Sequence, residues 1–415
     1  MPGQFVHREP SGEAFRLPLA VIEVAVVTDN GLMAVDTAVW LHQLTAAERA
    51  QLARGGGELP DPRPDVLIVG GGIAGVATAA ACHEAGLGSV LLIEAGRLGS
   101  GATGGAAGLL TPEIHEWSDP APFVDLARAS LARWGQLQET WPGGVGLVAL
   151  DWIGLSPDPG DFALHQAPAI EWLDTSQVAE LIPGLALPMA GALVRRQARV
   201  NPLRALARLA AGLPAVATGV AATAVTVRAG RVVSVATTAG DVQPGAVVFA
   251  TGLPPLLDGL ELDVPSERVK GHLLVTEPTS LRLPGTVAPV ATQLEDGRLL
   301  VGGTFDVGDE SPRVQPEVID GILEGLYTTL PELRGLRAAY QWCCFRPRHP
   351  DGQPVIDRVP GLDNAWLTSG HYRTGILLAP VTAQAIASWI GAGEPPAEAL
   401  AWSGGRFAAR RFSGR

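Results

Sequence analysis

Apolar residues fall into short runs that predict strands, and these runs alternate with segments of helical spacing. The runs VLIV (residues 66–69) and VLLI (residues 90–93) are apolar and rich in branched side chains, as in parallel strands covered on both faces. Between them, GIAGVATAAACHEAG has the small apolar residues of a buried helix. The pattern therefore predicts a strand–helix–strand unit over residues 65–96.

Further elements follow the same reasoning. Helical spacing covers residues 123–141, residues 171–183 with Thr175 as the cap, and the segment after Asn201-Pro202. Short β-rich runs recur over residues 215–250 and end in VVFATG, which predicts a meander returning to the first sheet. More strands are predicted over residues 264–304, with Asp296-Gly297 as a hairpin turn. Residues 365–371 then form a strand that leads into a helix, ILLAPVTAQAIASWI.

The first sixty or so residues precede this pattern. Residues 19–27 predict a strand and residues 32–39 a return strand, and Thr45 caps a helix that ends at a glycine run. Residues 58–64 are rich in proline and form a stiff linker. Two interpretations stay open: an ornament packed on the surface of the protein, or a module that docks a partner.

The glycine run between the first strand and the helix has a chemical meaning. Gly70, Gly72 and Gly75 fit the pattern G-x-G-x-x-G, which allows a tight turn and close approach of backbone to a pyrophosphate. Glu94 follows the second strand, 24 residues after Gly70, where an acid binds the ribose hydroxyls of a dinucleotide. The unit predicts dinucleotide binding.

Composition restricts the function further. The 415 residues, 47% of them hydrophobic, are enough for two domains, and the net charge of −12 with a single lysine, Lys270, argues against nucleic acid as a partner. Three cysteines form neither a disulfide framework nor a zinc-site spacing, so we expect no metal. The apolar stretch at residues 17–27 is too short to span a bilayer and contains Glu23. We expect a cytoplasmic protein without a membrane span; a homo-oligomer is compatible with the sequence.

Four local motifs resemble the D-amino-acid oxidase superfamily, nearest to its glycine oxidase branch. They are GGGIAGVATAAACHEAG with Glu94, GGAAGLLTPE at residues 104–113, RPRHPDGQPVID at residues 346–357 and GHYRTGILLAP at residues 370–380. The resemblance covers about residues 64–395. It implies an α/β fold class: a Rossmann-like FAD-binding domain with a second α+β substrate domain built on an antiparallel sheet.

The resemblance also implies a division into domains. The FAD-binding domain would be discontinuous, over residues 64–115, 196–262 and 336–395, and the substrate-binding domain would take residues 116–195 and 263–335. Residues 1–63 are an N-terminal extension outside the resemblance, and residues 396–415 a C-terminal tail.

The cofactor implied by the resemblance is FAD in an extended conformation. Its pyrophosphate and adenosine would contact Gly70, Gly72, Ile73, Ala74, Gly75, Glu94, Ala95 and Val220. Its flavin and ribityl chain would contact Gly104, Gly105, Ala106, Ala107, Gly108 and Leu109, and Thr251, Gly252 and Arg346 would also bind the cofactor. The pyrimidine end would contact Gly370, Arg373, Thr374, Gly375 and Ile376, where a helix N-terminus stabilises negative charge.

Arg346 and Arg373 are the catalytic residues that the resemblance implies. Arg346 matches the family's carboxylate clamp, and the planar guanidinium suits a carboxylate because it donates two parallel hydrogen bonds. His349 and Arg348 are interpreted as loop residues. The reaction implied is transfer of the α-hydride of an amino acid or related amine to flavin N5, giving an imine, with reoxidation by O2 to hydrogen peroxide.

Four positions depart from the family pattern. Ala288 and Val290 align where glycine oxidases tend to place histidine and tyrosine, which implies a larger or less polar pocket. Cys344 lies two residues before Arg346, where related sarcosine oxidases attach FAD through sulfur, whereas a buried cysteine is usually a small apolar residue. Leu300 aligns with the oxygen-activating lysine of sarcosine oxidases.

Other functions therefore stay open. One is an FAD-dependent dehydrogenase that passes electrons to a quinone or protein partner through residues 1–63. Another is a flavin-binding subunit of a larger complex. A nicotinamide-dependent enzyme is disfavoured because the GHYRTG segment has no role in it.

Overall fold

A computed structural model describes residues 38–158 and 169–410 of the chain. The strand predicted at residues 19–27 lies outside these ranges, as does the return strand except for its last residues. Val39 is helical, within α1 (Val39–His42), and is followed by α2 (Ala46–Leu52). Thr45 caps α2 as predicted: its hydroxyl accepts from the Glu48 N–H at 3.2 Å, and the Glu48 carboxylate accepts from the Thr45 N–H at 2.9 Å.

The first sheet has six strands in the spatial order β18-β19-β11-β1-β2-β7. In chain order these are β1 (Val66–Val69), β2 (Val90–Glu94), β7 (Ala215–Thr218), β11 (Ala246–Gly252), β18 (Val355–Arg358) and β19 (Ala365–Ser369). All neighbours are parallel except β18 and β19. Val66 of β1 lies opposite Val90 on one side and Ala246 on the other, so the VVFATG strand returns to the first sheet as predicted.

Helices cover this sheet and the regions around it. Those not yet given are α3 (Ile73–Glu84), α4 (Ala102–Gly105), α5 (Ala121–Thr140), α6 (Thr175–Leu181), α7 (Pro202–Ala211), α8 (Pro316–Thr329), α9 (Gly375–Ala392), α10 (Ala397–Leu400) and α11 (Gly405–Arg410), with short 3₁₀ turns at Pro112–Trp117 and Pro331–Leu333. One core joins α3, α5, α7 and α9 through Val76, Trp134, Leu206 and Leu378. Burial of these apolar side chains stabilises the domain.

The second large sheet has ten strands and is antiparallel apart from the β4–β13 pair. Its strands are β3 (Leu109–Leu110), β4 (Val148–Ser156), β5 (Ile170–Leu173), β6 (Ala190–Arg199), β12 (Glu267–Thr276), β13 (Gly285–Ala288), β14 (Ala291–Gln293), β15 (Leu299–Gly302), β16 (Asp306–Val307) and β17 (Ala338–Arg348). A separate meander contains β8 (Ala222–Arg228), β9 (Arg231–Thr237) and β10 (Gly240–Val242). The α/β fold class with a second, antiparallel domain is confirmed.

Some segments fall in a different domain from the one expected, and α5 and β17 are the two longest of them. The indole N–H of Trp134 in α5 donates to the Ile376 carbonyl at 3.0 Å, so α5 packs with the first domain rather than the second. Strand β17 pairs with β12 from Glu267 opposite Arg348 to Thr276 opposite Ala338, which places it in the second sheet. The division into domains stays a proposal, with these two segments reassigned.

The helix predicted over residues 171–183 is shorter than expected. Residues 171–173 belong to β5, and the cap of α6 is Asp174 rather than Thr175. The Asp174 carboxylate accepts from the N–H groups of Ser176 and Gln177, each at 2.9 Å. Asp and Thr are both good caps, and the strand pairing of residues 170–173 decides between them.

Helix α9 is long and apolar enough to cross a membrane by length and composition alone. However, 67% of it is buried inside the protein. Leu378 and Ile386 of α9 belong to the same core as α3 and α5, and this packing accounts for its apolar composition.

Candidate active site and cofactor cavity

A glycine corner connects β1 to α3. Gly70 has φ of +116°, which favours glycine, and a Cβ there would lie 2.5 Å from the Ala250 carbonyl oxygen. A Cβ on Gly75 would lie only 1.9 Å from the carbonyl oxygen of Gly70. These glycines therefore allow α3 to start directly against β1, with its N-terminus facing the end of the strand.

Glu94 ends β2 beside this corner. One carboxylate oxygen accepts from the Gly71 N–H at 2.7 Å, and the other accepts from the Gly96 N–H at 2.8 Å. The two backbone donors fix the carboxylate in one orientation. The Val220 N–H donates to the backbone carbonyl of Glu94 at 2.9 Å, which brings the start of the meander to the same place.

One cavity of about 470 Å³ reaches from the glycine corner to the start of α9. At one end it is lined by residues 69–74 and Glu94, and at the other by Tyr372, Arg373 and Ile376. The two glycine-bearing helix starts, which are about 300 residues apart in the chain, therefore share a single space. A long ligand can contact both.

A second cavity of about 290 Å³ adjoins the first. The two share Ser100, Gly101, Ala102, Thr251, Gly252 and Pro347, and the second adds Arg268, Cys343 and Cys344. The thiol of Cys344 donates to the Gly105 carbonyl, with sulfur and oxygen 3.4 Å apart. Burial raises the pKa of this thiol, so it is protonated rather than a thiolate.

Alternate residues of β17 face the first domain. The indole N–H of Trp342 donates to the Gly105 carbonyl at 3.0 Å, and Cys344 approaches the same oxygen. Arg346 continues the series, because every second side chain of a strand lies on the same face. Cys343 points the other way and donates to the Pro312 carbonyl at 3.4 Å.

Arg346 lies at the end of that series, between the sheet and a loop. Its guanidinium donates to the Thr304 carbonyl at 2.8 Å and lies 4.8 Å from the ring centre of Phe305. Gly271 makes room for it, since a Cβ there would lie 2.2 Å from Nη1. Burial lowers the pKa of Arg346.

The loop that carries Thr304 and Phe305 is fixed from the opposite face of β12. The His272 Nδ1 lies 3.0 Å from the Asp306 carboxylate, and its Nε2 accepts from the Gln315 N–H at 3.2 Å. Hence the ring is neutral with its proton on Nδ1, in line with burial lowering the pKa of His272. The ammonium of Lys270, which is fully buried, lies 2.8 Å from Asp309.

The start of α9 supplies a second guanidinium. Tyr372 has φ of +49° and donates its N–H to the Pro347 carbonyl at 2.8 Å. The Arg373 guanidinium lies 5.6 Å from the Tyr372 ring centre and 6.0 Å from that of Phe305. In the part of the chain that the structure describes, no carboxylate lies within ion-pair distance of Arg346 or Arg373.

A family model described as "FAD dependent oxidoreductase" (DAO) matches residues 65–389. The chain belongs to this family. It is 31% identical over 360 residues to a glycine oxidase of Pseudomonas aeruginosa, covering 80% of this chain and 95% of that one. It is 29% identical over 348 residues to a glycine oxidase of Bacillus licheniformis, with 79% and 93% covered. The crystal structure of glycine oxidase from Geobacillus kaustophilus superposes with a TM-score of 0.73 at 27% identity, covering 82% of this chain and 98% of that one.

The protein is thus an FAD-dependent oxidoreductase, as the sequence resemblance implied. The cavity fits an extended FAD, because it is continuous between the glycine corner and α9 and because a Cβ at Gly70 or Gly75 would clash with backbone. Many of the predicted cofactor-binding residues line it: Gly70, Gly72, Ile73, Ala74, Glu94, Ala95, Ala106, Val220, Thr251, Gly252, Arg373, Gly375 and Ile376. Their individual roles stay predictions.

Other predicted site residues are not among those that line the main cavity: Gly75, Gly104, Gly105, Ala107, Gly108, Leu109, Arg346, Gly370 and Thr374. Several are glycines that allow close packing. A Cβ on Gly104 would lie 2.4 Å from the Gly99 carbonyl oxygen, and one on Gly370 would lie 1.9 Å from the ring of His349. These glycines are required because other parts of the protein pack closely against them, not because a ligand does.

Sequence reasoning missed other lining residues, among them Gly71, Ser100, Gly101, Ala102, Thr103, Pro255, Leu257, Pro347, Thr368, His371 and Tyr372. Thr103 had a recognisable signal, because a hydroxyl in the glycine-rich run can cap a helix; its Oγ1 accepts from the Ile73 N–H at 3.0 Å. His371 and Tyr372 lie inside the GHYRTG motif, but their positions follow from the turn geometry.

His349 lies in the loop after β17, as interpreted from the sequence. Its ring is buried, with Nδ1 2.8 Å from the Pro265 carbonyl and Nε2 3.0 Å from the Ser369 hydroxyl. Arg348 is not in a loop as interpreted: it ends β17 and pairs with Glu267 at 2.7 Å. Both side chains join β17 to its surroundings.

Three of the four positions that depart from the family pattern lie away from both cavities, and the fourth, Cys344, lines the second cavity. Ala288 packs against the cluster around Trp152, and Val290 is buried in the core beneath α8. Leu300 is buried in the first core. Lys270 points away from Arg346, because adjacent β12 residues face opposite sides of the sheet and Arg346 packs on Gly271.

Proposed function

We propose that the protein uses FAD to oxidise an α-amino acid or a related amine that carries a carboxylate. The observation that carries this proposal is the guanidinium of Arg346, which contacts backbone carbonyl oxygens and an aromatic ring but has no carboxylate partner among the described residues. Similarity to glycine oxidases supports an amino-acid substrate.

Arg346 would bind the substrate carboxylate. One amino group is already held by Thr304, and this contact fixes the plane of the guanidinium while leaving other N–H groups for a ligand. The Phe305 ring limits where the rest of the substrate can lie. A bidentate contact of this kind orients the Cα–H bond, and orientation is a major source of rate acceleration.

Bound FAD supplies the redox chemistry by accepting the α-hydride, and the imine product hydrolyses in water. The chain's own part is electrostatic. Arg373 and the N-terminus of α9 place positive charge and free N–H groups at the end of the cavity near Tyr372. No general base is required if the substrate amine is neutral when it binds.

For the electron acceptor we propose O2, with hydrogen peroxide as the product, and we place the reaction in the cytoplasm. The alternative is a dehydrogenase that reduces a quinone or protein partner. The N-terminal extension was the surface expected to dock that partner. Trp40 and Leu52 of the extension are buried against the first domain, which leaves less of it accessible.

The decisive experiment is anaerobic bleaching of the FAD absorbance by a panel of amino acids. Arg346→Ala should raise the KM of the reactive amino acid about a hundredfold, since two charge-assisted hydrogen bonds contribute about 3 kcal/mol. The visible spectrum of bound FAD should stay nearly unchanged. Arg337→Ala, an exposed arginine paired with Glu277, is the matched control.

Two results would contradict the proposal. If no amino acid bleaches the flavin, the substrate class is wrong; if Arg346→Ala leaves KM unchanged, the arginine lies outside the site. Turnover with a dye under nitrogen but none with oxygen would replace the oxidase by the dehydrogenase.

A further inference from the structure

The end of the N-terminal extension, residues 38–62, precedes the part of the chain that matches the family, yet it packs into the first domain. Trp40 is fully buried, and its carbonyl accepts from the Asn201 side-chain amide at 3.1 Å. The Leu98 N–H donates to the Leu52 carbonyl at 2.8 Å, and Arg208 donates to Glu48 at 3.1 Å. This segment is therefore part of the domain core rather than an ornament on its surface.

Trp40 contacts the cavity wall directly. Its indole N–H donates to the Ala106 carbonyl at 2.8 Å, and Ala106 lines the main cavity. Trp342 donates to the neighbouring carbonyl, that of Gly105, at 3.0 Å. The two indoles meet edge to face, with ring centres 6.3 Å apart.

The two indoles thus hold consecutive carbonyl groups of one segment, residues 104–109. The far end of that segment is fixed to the second sheet, where Leu109 lies opposite Arg199. A Cβ on Gly108 would lie 2.1 Å from the Val200 carbonyl oxygen, so the backbone has no room to move on that side. On the other side, the two indoles and the Cys344 thiol, which donates to the Gly105 carbonyl, oppose a shift of the wall.

We propose that Trp40 is a positioning residue for FAD: it fixes the cavity wall at Gly105 and Ala106 against β17, the strand that also carries Arg346. The N-terminal extension is then a built-in support of the cofactor site. This inference requires FAD binding by the chain and is independent of which substrate is oxidised.

The test replaces the indole without removing the ring. In the FAD-loaded protein, Trp40→Phe leaves the half-buried Ala106 carbonyl without its donor, and we expect the Kd of FAD to rise about five- to thirtyfold. The visible circular dichroism of the bound flavin should change as well. The Kd is measured by titrating the FAD-depleted protein, and the circular dichroism on the loaded protein.

Trp389→Phe is the matched control. This indole is also buried, but its N–H has no acceptor among the described residues. It lies 14 residues beyond the start of α9, about 21 Å along the helix. We expect it to change the Kd of FAD by less than about twofold, although it lowers the unfolding temperature as any loss of buried ring volume does.

A merely structural role would lower the unfolding temperature of Trp40→Phe and leave the Kd and the circular dichroism like those of the control; that result would overturn the inference. If Trp40→Phe does not fold, benzothienylalanine at position 40 keeps the ring volume and replaces only the N–H by sulfur. A Trp342→Phe variant adds a second check. Combined with Trp40→Phe, it should change the Kd non-additively if both indoles hold one segment.

Discussion

His371 offers a direct test of how the start of α9 is buried. Its ring lines the FAD cavity and is 5% exposed, with Nε2 3.2 Å from the Thr382 hydroxyl. Burial lowers the pKa of His371 from 6.5 to about 4, and the neighbouring His349 contributes in the same direction. We therefore expect this ring to make the folded protein sensitive to acid.

The sign follows from proton binding. In the unfolded chain the His371 ring takes up a proton below its ordinary pKa of 6.5, whereas in the folded protein it stays neutral until about pH 4. Between these values the unfolded state binds more protons, so the free energy of unfolding falls as the pH falls and is constant above this range. The gap corresponds to about 3.4 kcal/mol in full, and to about 2 kcal/mol between about pH 8 and about pH 5.

The assay is urea unfolding of the FAD-loaded protein at several pH values, analysed by linear extrapolation. His371→Gln keeps a hydrogen-bonding side chain near Thr382 but cannot take up a proton. We expect it to lose about 2 kcal/mol less than the wild type between about pH 8 and about pH 5. His83→Gln, at an exposed position on α3, should lose as much as the wild type.

The difference between the variants isolates the contribution of His371. The pKa values of His272 and His349 are also lowered by burial, and both rings remain in each variant, so the share of His272 cancels and that of His349 changes only through its coupling to His371. If His371→Gln loses as much stability as the wild type, the imidazole is not buried in its neutral form and the reasoning fails.

Three further predictions concern the site. Gly75→Val should abolish FAD binding, because its Cβ would lie 1.9 Å from the Gly70 carbonyl oxygen, while Gly135→Ala, with open space around it, should leave FAD absorbance intact. Acid precipitation should leave the yellow colour in the supernatant for both wild type and Cys344→Ala, since burial raises the pKa of this thiol; colour in the wild-type pellet would show covalent attachment. Lys270→Met should raise substrate KM several-fold with unchanged FAD affinity by releasing Asp309 and the Phe305 loop, and equal KM values would refute this.

The nucleotide-binding part of the first domain was predictable because the residues that determine it are close together in the sequence. The strand runs at residues 66–69 and 90–93, the glycines between them and Glu94 all lie within one short stretch, and each has a physical preference that agrees with the others. The same holds for the helix after Asn201, whose side chain accepts from the N–H groups of Leu203 and Arg204. Where the local choices agree, sequence reasoning identifies both the element and its role.

The support of Arg346 was not predictable in this way. His272, Asp306 and Gln315 are far apart in sequence, and only strand pairing and the return of the loop bring them together. Likewise, a polar residue such as His349 in a proline-rich run resembles a surface loop, and only the space left by Gly370 shows that its ring is buried. A glycine in the sequence indicates a close contact, but the folded arrangement decides whether that contact is with the protein itself or with a ligand.

The alternation of side chains along β17 limits which insertions and deletions this strand can accept. Trp342, Cys344 and Arg346 occupy alternate positions and share the face toward the first domain, while Cys343 points to the opposite face. Insertion or deletion of one residue between Trp342 and Arg346 would exchange the two faces and turn the arginine away from the ligand space. A substitution at one position of β17 changes only that side chain, whereas a change of length by one residue reverses the orientation of every side chain that follows.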